Sequence, residues 1–182
     1  SMVGVTTLET LVLGKSGVTT LLAINGCTNL TSVDASDLAN CTTAGSWNFD
    51  GCTSLSILAM PTGNNTYTLI RLNSCNSLTS FDIGSGDNSC ADFEIKNNTG
   101  ITSITSTGTA TTPSFDVYNC DAITSINMAN FTGITTFLGL RLSSSITSFT
   151  NLNGVINRIL ATGNSSFSSM TFSSADFSGL YD

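Results

Sequence analysis

One motif of about 23 residues recurs along the whole sequence. Seven aligned windows of fourteen residues begin at residues 22, 47, 70, 93, 115, 138 and 159, and a partial unit at residues 8–13 precedes them. A fixed period of about 20 to 50 residues is typical of repeat proteins, in which one unit cannot bury its apolar face alone and stacks on its neighbours. The repeat therefore predicts a stack of similar coils.

The apolar positions inside the repeat predict strands. Positions 1 and 3 of each window alternate with polar residues, as do positions 12 and 14, and the apolar residue at position 9 is expected to enter the core from the bend between them. We therefore predict a mainly-β fold, a single parallel β-solenoid domain over residues 1–182 with about eight coils and two short strands per coil. The opening Ser-Met pair is interpreted as a cloning remnant, and the chain as a segment of a larger protein.

Position 6 of the repeat carries a small polar or thiol side chain in every window. The residues are Cys27, Cys52, Cys75, Asn98, Cys120, Ser143 and Asn164. Because backbone groups inside a stacked bend cannot reach water, we expect this column to pair them in one turn after another. Stacked residues have parallel Cβ vectors, which suit a disulfide poorly, so the four cysteines of the column are predicted to be buried, unbridged thiols. Cys41 and Cys90 are predicted to lie in connections two coils apart, beyond reach of each other.

Composition excludes several classes of function. The sequence contains no histidine, which removes Ser-His-Asp and Cys-His nucleophile systems and the commonest transition-metal ligand. Only 9% of the residues are charged and the net charge is −7, so the basic surface typical of nucleic-acid binding is absent. No apolar run approaches the ~20 residues that span a bilayer. We therefore predict no catalysis, no cofactor or metal, no nucleic-acid partner and no membrane insertion.

The outward side of the second predicted strand forms a candidate ligand-binding face. Its candidate binding residues, taken from positions 11 and 13, are Asp34, Ser80, Asp82, Ser103, Thr105, Ser125, Asn127, Ser148 and Thr150. Three interpretations stay open: a solvated face of strand-forming residues, a binding face for a glycan or protein, and ice binding by the hydroxyl rows. Ile57 at position 11 is expected to point outward. Phe81 at position 12 is expected to point into the core, against Leu58 and Ile104.

The outward side of the first predicted strand forms a second candidate site, a stacking and charged face. Its residues are Arg71, Glu94, Lys96, Tyr118 and Arg141. We expect Arg71 to pair with Glu94 on the next coil, and Tyr118 to lie between the cations of Lys96 and Arg141. Such pairs can simply stabilise adjacent strands, or the tyrosine can stack on a sugar or a peptide ring. Glu94 and the outward Asp116 lie one coil apart, a spacing that suits a retaining glycosidase, but short connections leave little room for a cleft.

The stretch NFDGCTSLSILAMP at residues 48–61 resembles the BspA-like leucine-rich repeat, whose unit of about 23 residues carries Phe-x-x-Cys-x-x-Leu-x-x-Ile-x-Ile-Pro. Asn98 and Asn164 agree with the Asn or Cys that leucine-rich repeats place at a fixed turn. The proline occurs only at Pro61, and strand-like pieces such as YTLIRLN at residues 67–73 replace the Ile-Gly segment of the family. The resemblance implies a leucine-rich-repeat-like solenoid, flattened by its second strand, with no catalytic residues.

Members of the BspA-like group are commonly surface proteins that bind host proteins or other cells. The resemblance therefore implies an extracellular or cell-surface adhesion module whose partner is a host or cell-surface protein or glycan. The low charge and the many Ser, Thr, Asn and Gly residues keep an alternative open, a structural or receptor-binding segment of a phage tail or virion protein. Ice-binding and polysaccharide-acting solenoids are remoter alternatives. We also expect neighbouring domains in the full-length protein, and end-to-end self-association through uncapped terminal coils.

Overall fold

A computed structural model describes residues 1–14, 21–38, 45–155 and 158–176, with the backbone alone at residues 21, 152–155 and 172–176. Every regular element in these ranges is a β-strand, and all the strand pairs are parallel. The strands are β1 (Met2–Val3), β2 (Thr10–Val12), β3 (Leu21–Asn25), β4 (Ser32–Asp34), β5 (Gly45–Asn48), β6 (Ile57–Ala59), β7 (Thr66–Asn73), β8 (Ser80–Asp82), β9 (Asp87–Lys96), β10 (Ser103–Thr105), β11 (Thr109–Thr111), β12 (Ser114–Tyr118), β13 (Ser125–Asn127), β14 (Phe131–Thr132), β15 (Phe137–Arg141), β16 (Ser148–Val155), β17 (Ile159–Thr162) and β18 (Ser169–Asp176). The predicted mainly-β parallel solenoid is confirmed.

The first strand of each coil contributes to one continuous parallel sheet, which we call the main wall. Its strands lie in the order β1, β3, β5, β7, β9, β12, β15 and β17. Neighbouring strands come from successive coils, so the chain makes about seven turns between the first strand and the last. The register keeps each repeat position in one column: Phe115 lies between Phe93 and Leu138. Phe115 and Val117 are fully buried, as the two-residue period of the sequence requires.

The second strand of each coil contributes to a second wall, which is divided into three separate sheets: β2–β4–β6, β8–β10 and β13–β16–β18. Phe81 pairs with Ile104 and is 1% exposed, while Ile57 is 61% exposed, which confirms the predicted inward and outward positions. The second wall is not one continuous sheet, because no ladder joins β6 to β8, or β10 to β13, in the described strands. Strands of three residues form only one or two ladder hydrogen bonds each, so a small divergence between coils ends the sheet.

The middle coils carry a short third wall that a two-strand repeat does not predict. The first residues of β7 and β9 pair with each other, and β11 pairs with β9 and with β14. The strand β9 turns a corner at residues 91–92, where two successive residues are exposed. Asn88 and Cys90 point inward before the corner, and Phe93 points inward after it. The prediction that Cys90 lies in a connection is therefore wrong: it is a buried strand residue, because it alternates with Asn88 on the inward side.

All the cysteines among the described residues are free thiols. Cys41 lies outside the described residues. The others are buried and unbridged: Cys27, Cys52, Cys75, Cys90 and Cys120. The predicted unbridged column is thus confirmed. Burial raises the pKa of Cys75 and Cys90 to about 12, and that of Cys52 and Cys120 to about 11, so these thiols are protonated near neutral pH and are poor nucleophiles.

The side chains at position 6 pair backbone groups across coils, as expected. The Cys75 thiol donates to the carbonyl of Phe49 in the preceding coil, at 3.1 Å. Asn98 makes two such contacts: Nδ2 donates to the Leu72 carbonyl at 2.9 Å, and Oδ1 accepts from the Cys75 amide at 2.6 Å. The same donation to position 3 of the preceding coil is made by Cys27, Cys52, Cys120 and Asn164.

Position 5, immediately before this column, holds the backbone in the left-handed region in all seven windows. Its φ lies between 51° and 73° at Gly26, Gly51, Ser74, Asn97, Asn119, Leu142 and Gly163. Glycine and asparagine adopt this conformation readily, whereas most other residues do so at a cost of about 1–2 kcal/mol. Leu142 is 47% exposed, so burial of its side chain offsets only part of that cost.

Replacing Leu142 by Asn should therefore increase the free energy of unfolding by about 0.5–1 kcal/mol, because asparagine tolerates the left-handed backbone. Urea unfolding measures the change. The matched control is Gly51→Ala, which adds a Cβ at the same repeat position, where φ is 73°, and should destabilise the protein by about the same amount. An L142N variant less stable than the wild type would contradict this interpretation of position 5.

Candidate binding surfaces

The acidic and amide residues of the predicted ligand-binding face cap the turns that follow them. Asp82 Oδ1 accepts hydrogen bonds from the amides of Gly84, at 2.9 Å, and Thr107, at 3.0 Å. Asp34 and Asn127 likewise accept from the amide two residues further on, at 2.9 and 3.0 Å. Short polar side chains that bond their own backbone in this way favour turns. Turn formation is therefore sufficient to explain these three residues.

Four serines at position 11 of the predicted ligand-binding face have hydroxyls that no described residue binds. They are Ser80, Ser103, Ser125 and Ser148, and all are exposed or half-buried. Position 10 differs in that its hydroxyl is hydrogen-bonded: Thr102 donates to the carbonyl of Thr79 at 3.0 Å. At position 13, Thr105 Oγ1 is 3.5 Å from the Phe81 carbonyl, and Thr150 is half-buried. The free hydroxyls thus form short rows on separate sheets.

A shallow depression of about 100 Å³ lies near the turns between the second and third walls. It is lined by Thr105, Ser106, Asn127, Ala129 and Asn130, so it brings together two residues of the predicted ligand-binding face. The Asn130 side chain donates to the Ser106 carbonyl at 2.7 Å. Ligand pockets measure roughly 300–1,000 Å³, so this depression is too small for a sugar ring.

Six side chains form a connected charged strip on the outward face of the main wall: Asp50, Arg71, Glu94, Lys96, Asp116 and Arg141. Arg71 Nε lies 2.5 Å from Glu94 Oε2, which confirms the predicted pair. Lys96 Nζ lies 3.0 Å from Glu94 Oε1 and 3.6 Å from Asp116 Oδ2. Arg141 Nη2 lies 2.5 Å from the same Asp116 oxygen. The three cations and three carboxylates of the strip neutralise one another.

Two aromatic rings lie beside two guanidinium groups at the end of the charged strip. We call these residues the aromatic–arginine cluster: Tyr118, Phe137, Arg141 and Arg158. Arg141 Cζ lies 5.2 Å from the ring centre of Tyr118 and 5.8 Å from that of Phe137, and Arg158 Cζ lies 5.8 Å from that of Phe137. Lys96 occupies the predicted ladder position beside Tyr118, but its ammonium binds two carboxylates, because a charge–charge contact is stronger than a charge–ring contact.

Gly139 makes room for this arrangement. It lies on the outward face of β15 between Phe137 and Arg141, and a Cβ at this position would collide with the Asp116 carboxylate and the Phe137 ring. The missing side chain therefore leaves the space that these two groups fill. Asp116 is only 5% exposed as a result, so the outward carboxylate predicted there is covered by its neighbours.

The ion pairs set the protonation of the strip. Burial raises the pKa of Glu94, but hydrogen bonds from Arg71 and Lys96 outweigh burial and hold the pKa below its ordinary value. Asp50 has a weaker contact, 4.0 Å from Arg71, and burial raises its pKa. A glycosidase needs one carboxyl group whose pKa is raised enough to protonate the leaving group. Glu94 is held ionised by two cations, so it is unsuited to that role.

Other kinds of site are not found in the described part of the chain. It contains no group of three or more Cys, Asp or Glu side chains placed to hold a metal ion. Nor does it contain a helix with the length and apolarity needed to cross a membrane. No protein-family model, curated protein or solved structure matches the chain. The resemblance to BspA-like repeats therefore rests on the sequence pattern alone.

Sequence reasoning did not include Asp50, Phe137, Gly139 or Arg158 among the candidate residues. A signal for Phe137 was present: it directly precedes position 1 of its window, so in a strand one residue longer it shares the outward face with positions 2 and 4. Nothing in the sequence around Gly139 indicated its role, because the space that it leaves is filled partly by Asp116 from the neighbouring coil. Two-residue alternation therefore locates the face but not the cluster.

Glu94→Gln should make the protein less sensitive to acid. Because the pKa of Glu94 is lower in the folded state, its ion pairs stabilise the protein above the ordinary glutamate pKa of about 4.3, and this stabilisation is lost as the pH falls through the folded pKa. Between about pH 6 and pH 3, the wild type should lose more free energy of unfolding than the variant, by on the order of 0.5 kcal/mol after solvent screening.

Urea unfolding across this pH range measures the difference. Asp87→Asn removes an exposed carboxylate outside the ion pairs and controls for the change in net charge. Equal acid sensitivity in the wild type and the Glu94 variant would show that the ion pairs of Glu94 do not contribute to the free energy of unfolding.

Proposed function

We propose that the chain is a non-catalytic binding module of an extracellular surface protein, which recognises a protein or a glycan through the outward faces of its solenoid. The observation that carries this proposal is a concentration of charge. Only 9% of the residues are charged, yet the charged strip and the aromatic–arginine cluster hold four of the five basic residues on one wall. Tyrosine and arginine are also the residue types enriched at the centres of protein interfaces.

Stability alone is a weak reason for such a strip. Half-exposed ion pairs contribute about 0–1 kcal/mol each. Among the described residues, the ion pairs are confined to this strip. The second wall supports the proposal less strongly, because Asp34, Asp82 and Asn127 are already occupied in turns. We therefore place the binding surface on the main wall.

Several observations favour binding over catalysis. The depression beside Thr105 and Asn127 is too small for a sugar ring. Glu94, one of the two carboxylates that a retaining glycosidase would need here, is paired with Arg71 and Lys96. Ice binding is disfavoured because it requires a regular hydroxyl lattice, and the second wall is divided into three sheets. A structural or receptor-binding segment of a phage tail remains the second candidate, favoured by the low charge of the chain.

A glycan array and an array of cell-surface proteins, probed with the wild type and two surface variants, test the proposal. Tyr118→Ala removes a ring from the main wall. Ser125→Arg is the matched variant on the second wall, where the native hydroxyl is exposed and unbound. We expect the wild type to bind at least one glycan or protein, with binding about tenfold weaker in Y118A, as for the loss of an aromatic anchor, and unchanged in S125R.

The opposite pattern, with binding lost in S125R and retained in Y118A, would move the site to the second wall. Failure of the wild type to bind any glycan or protein on the arrays would contradict a binding function. Cleavage of a bound glycan would contradict the non-catalytic assignment.

A further inference from the structure

We infer that the aromatic–arginine cluster is a subsite for a carboxylate-bearing sugar, a uronic or sialic acid unit of an acidic glycan. This inference rests on the proposed binding function and narrows it to one ligand class and one end of the main wall. Three features of the cluster support it: an arginine without an ionic partner, an adjacent aromatic surface, and the local balance of charge.

Arg158 is available to bind an anion. Among the described residues, the basic side chains of Arg71, Lys96 and Arg141 each lie within 4.0 Å of a carboxylate, whereas Arg158 has no such partner. Arg158 is exposed, and its guanidinium lies against the Phe137 ring. A guanidinium presents two parallel N–H donors that match the two oxygens of a carboxylate. The ring limits its orientation, which lowers the entropy lost when an anion binds.

The rings of Phe137 and Tyr118 provide an apolar surface beside that donor. Both residues are half-buried, and Arg141 contacts both rings. Because Gly139 has no side chain, the Phe137 ring lies over it close to the sheet instead of standing away from it. A pyranose ring has a C–H face that packs on such an aromatic surface. The hydroxyl of Thr162, which is exposed and pairs with Arg141 in the ladder, can bond a sugar hydroxyl.

A sugar acid fits this surface better than an acidic peptide does. In a uronic or sialic acid, one rigid ring carries both the C–H face and the carboxylate, so both contacts form without ordering a flexible side chain. The charge balance points the same way. Three cations and three carboxylates cancel in the charged strip, so Arg158 is the one basic side chain among the described residues without a carboxylate partner, on a chain of net charge −7. A dense polyanion would be repelled by the rest of the chain, whereas one carboxylate matches one free arginine.

Titration calorimetry with matched probes tests the subsite. The acidic probes are methyl galacturonoside and sialyllactose, each with one carboxylate, and their neutral counterparts are methyl galactoside and lactose. A short peptide with one glutamate and blocked ends represents an acidic peptide. We expect at least one acidic saccharide to bind, and its neutral counterpart to bind about tenfold more weakly, because a charge-assisted hydrogen-bonded pair is lost.

Two substitutions at Arg158 complete the test. Arg158→Gln should weaken binding of the acidic saccharide about tenfold, whereas Arg158→Lys, which keeps the charge without the planar fork, should give an intermediate affinity. Thermal melts should change little in both variants, because Arg158 has no ion pair to lose and its contact with the Phe137 ring is exposed.

The subsite is overturned if neither acidic saccharide binds or if the neutral counterpart binds equally well. It is also overturned if R158Q binds as tightly as the wild type, or if the glutamate peptide binds as tightly as the saccharides. These outcomes leave the broader binding function standing wherever the arrays show another ligand. A wild type that binds nothing on the arrays removes both proposals together.

Discussion

The structure depends on pairing the backbone groups that each turn buries between coils. Parallel ladders satisfy the amides and carbonyls inside the strands, but the turn after each main-wall strand leaves groups within the stack, away from water. Asn98 binds both kinds of group, the amide of Cys75 and the carbonyl of Leu72. Cys52 donates to the Ile24 carbonyl, but its sulfur is a weak acceptor. An unpaired buried group costs about 1–3 kcal/mol, so a small side chain that can donate or accept a hydrogen bond is favoured at position 6.

The need to pair the buried turn groups and to fill the core constrains the inward positions of the repeat, but it leaves the outward positions free to vary. Positions 1, 3, 5, 6, 9 and 12 are constrained by the core or by the turn, whereas outward residues of the main wall contact solvent and one another. Their composition differs strongly from coil to coil: Asn48, Arg71 and Glu94 occupy the same column as Gly139. Residues that recognise a ligand are therefore expected among these variable outward positions. The proposals on function rest on two such groups, the charged strip and the aromatic–arginine cluster.

The features predicted correctly from the sequence are those that repeat once per coil. The parallel solenoid, the inward Phe81, the outward Ile57 and the Arg71–Glu94 pair all follow from one period and one alternation. Features that depend on irregular segments between the windows were missed, including the third wall and the division of the second wall. The left-handed position 5 had a signal in its Gly and Asn residues, but Leu142 shows that side-chain preference alone does not define it.

Amide hydrogen exchange at position 6 tests the account most directly. In the wild type, the Cys75 amide is bound by Asn98, and the Cys120 amide by Ser143 Oγ at 3.0 Å. In an Asn98→Ala variant, exchange at Cys75 should accelerate about tenfold or more, as expected for the loss of a buried hydrogen bond, while exchange at Cys120 stays the same. Unchanged exchange at Cys75 would contradict the claim that position 6 holds the turns together.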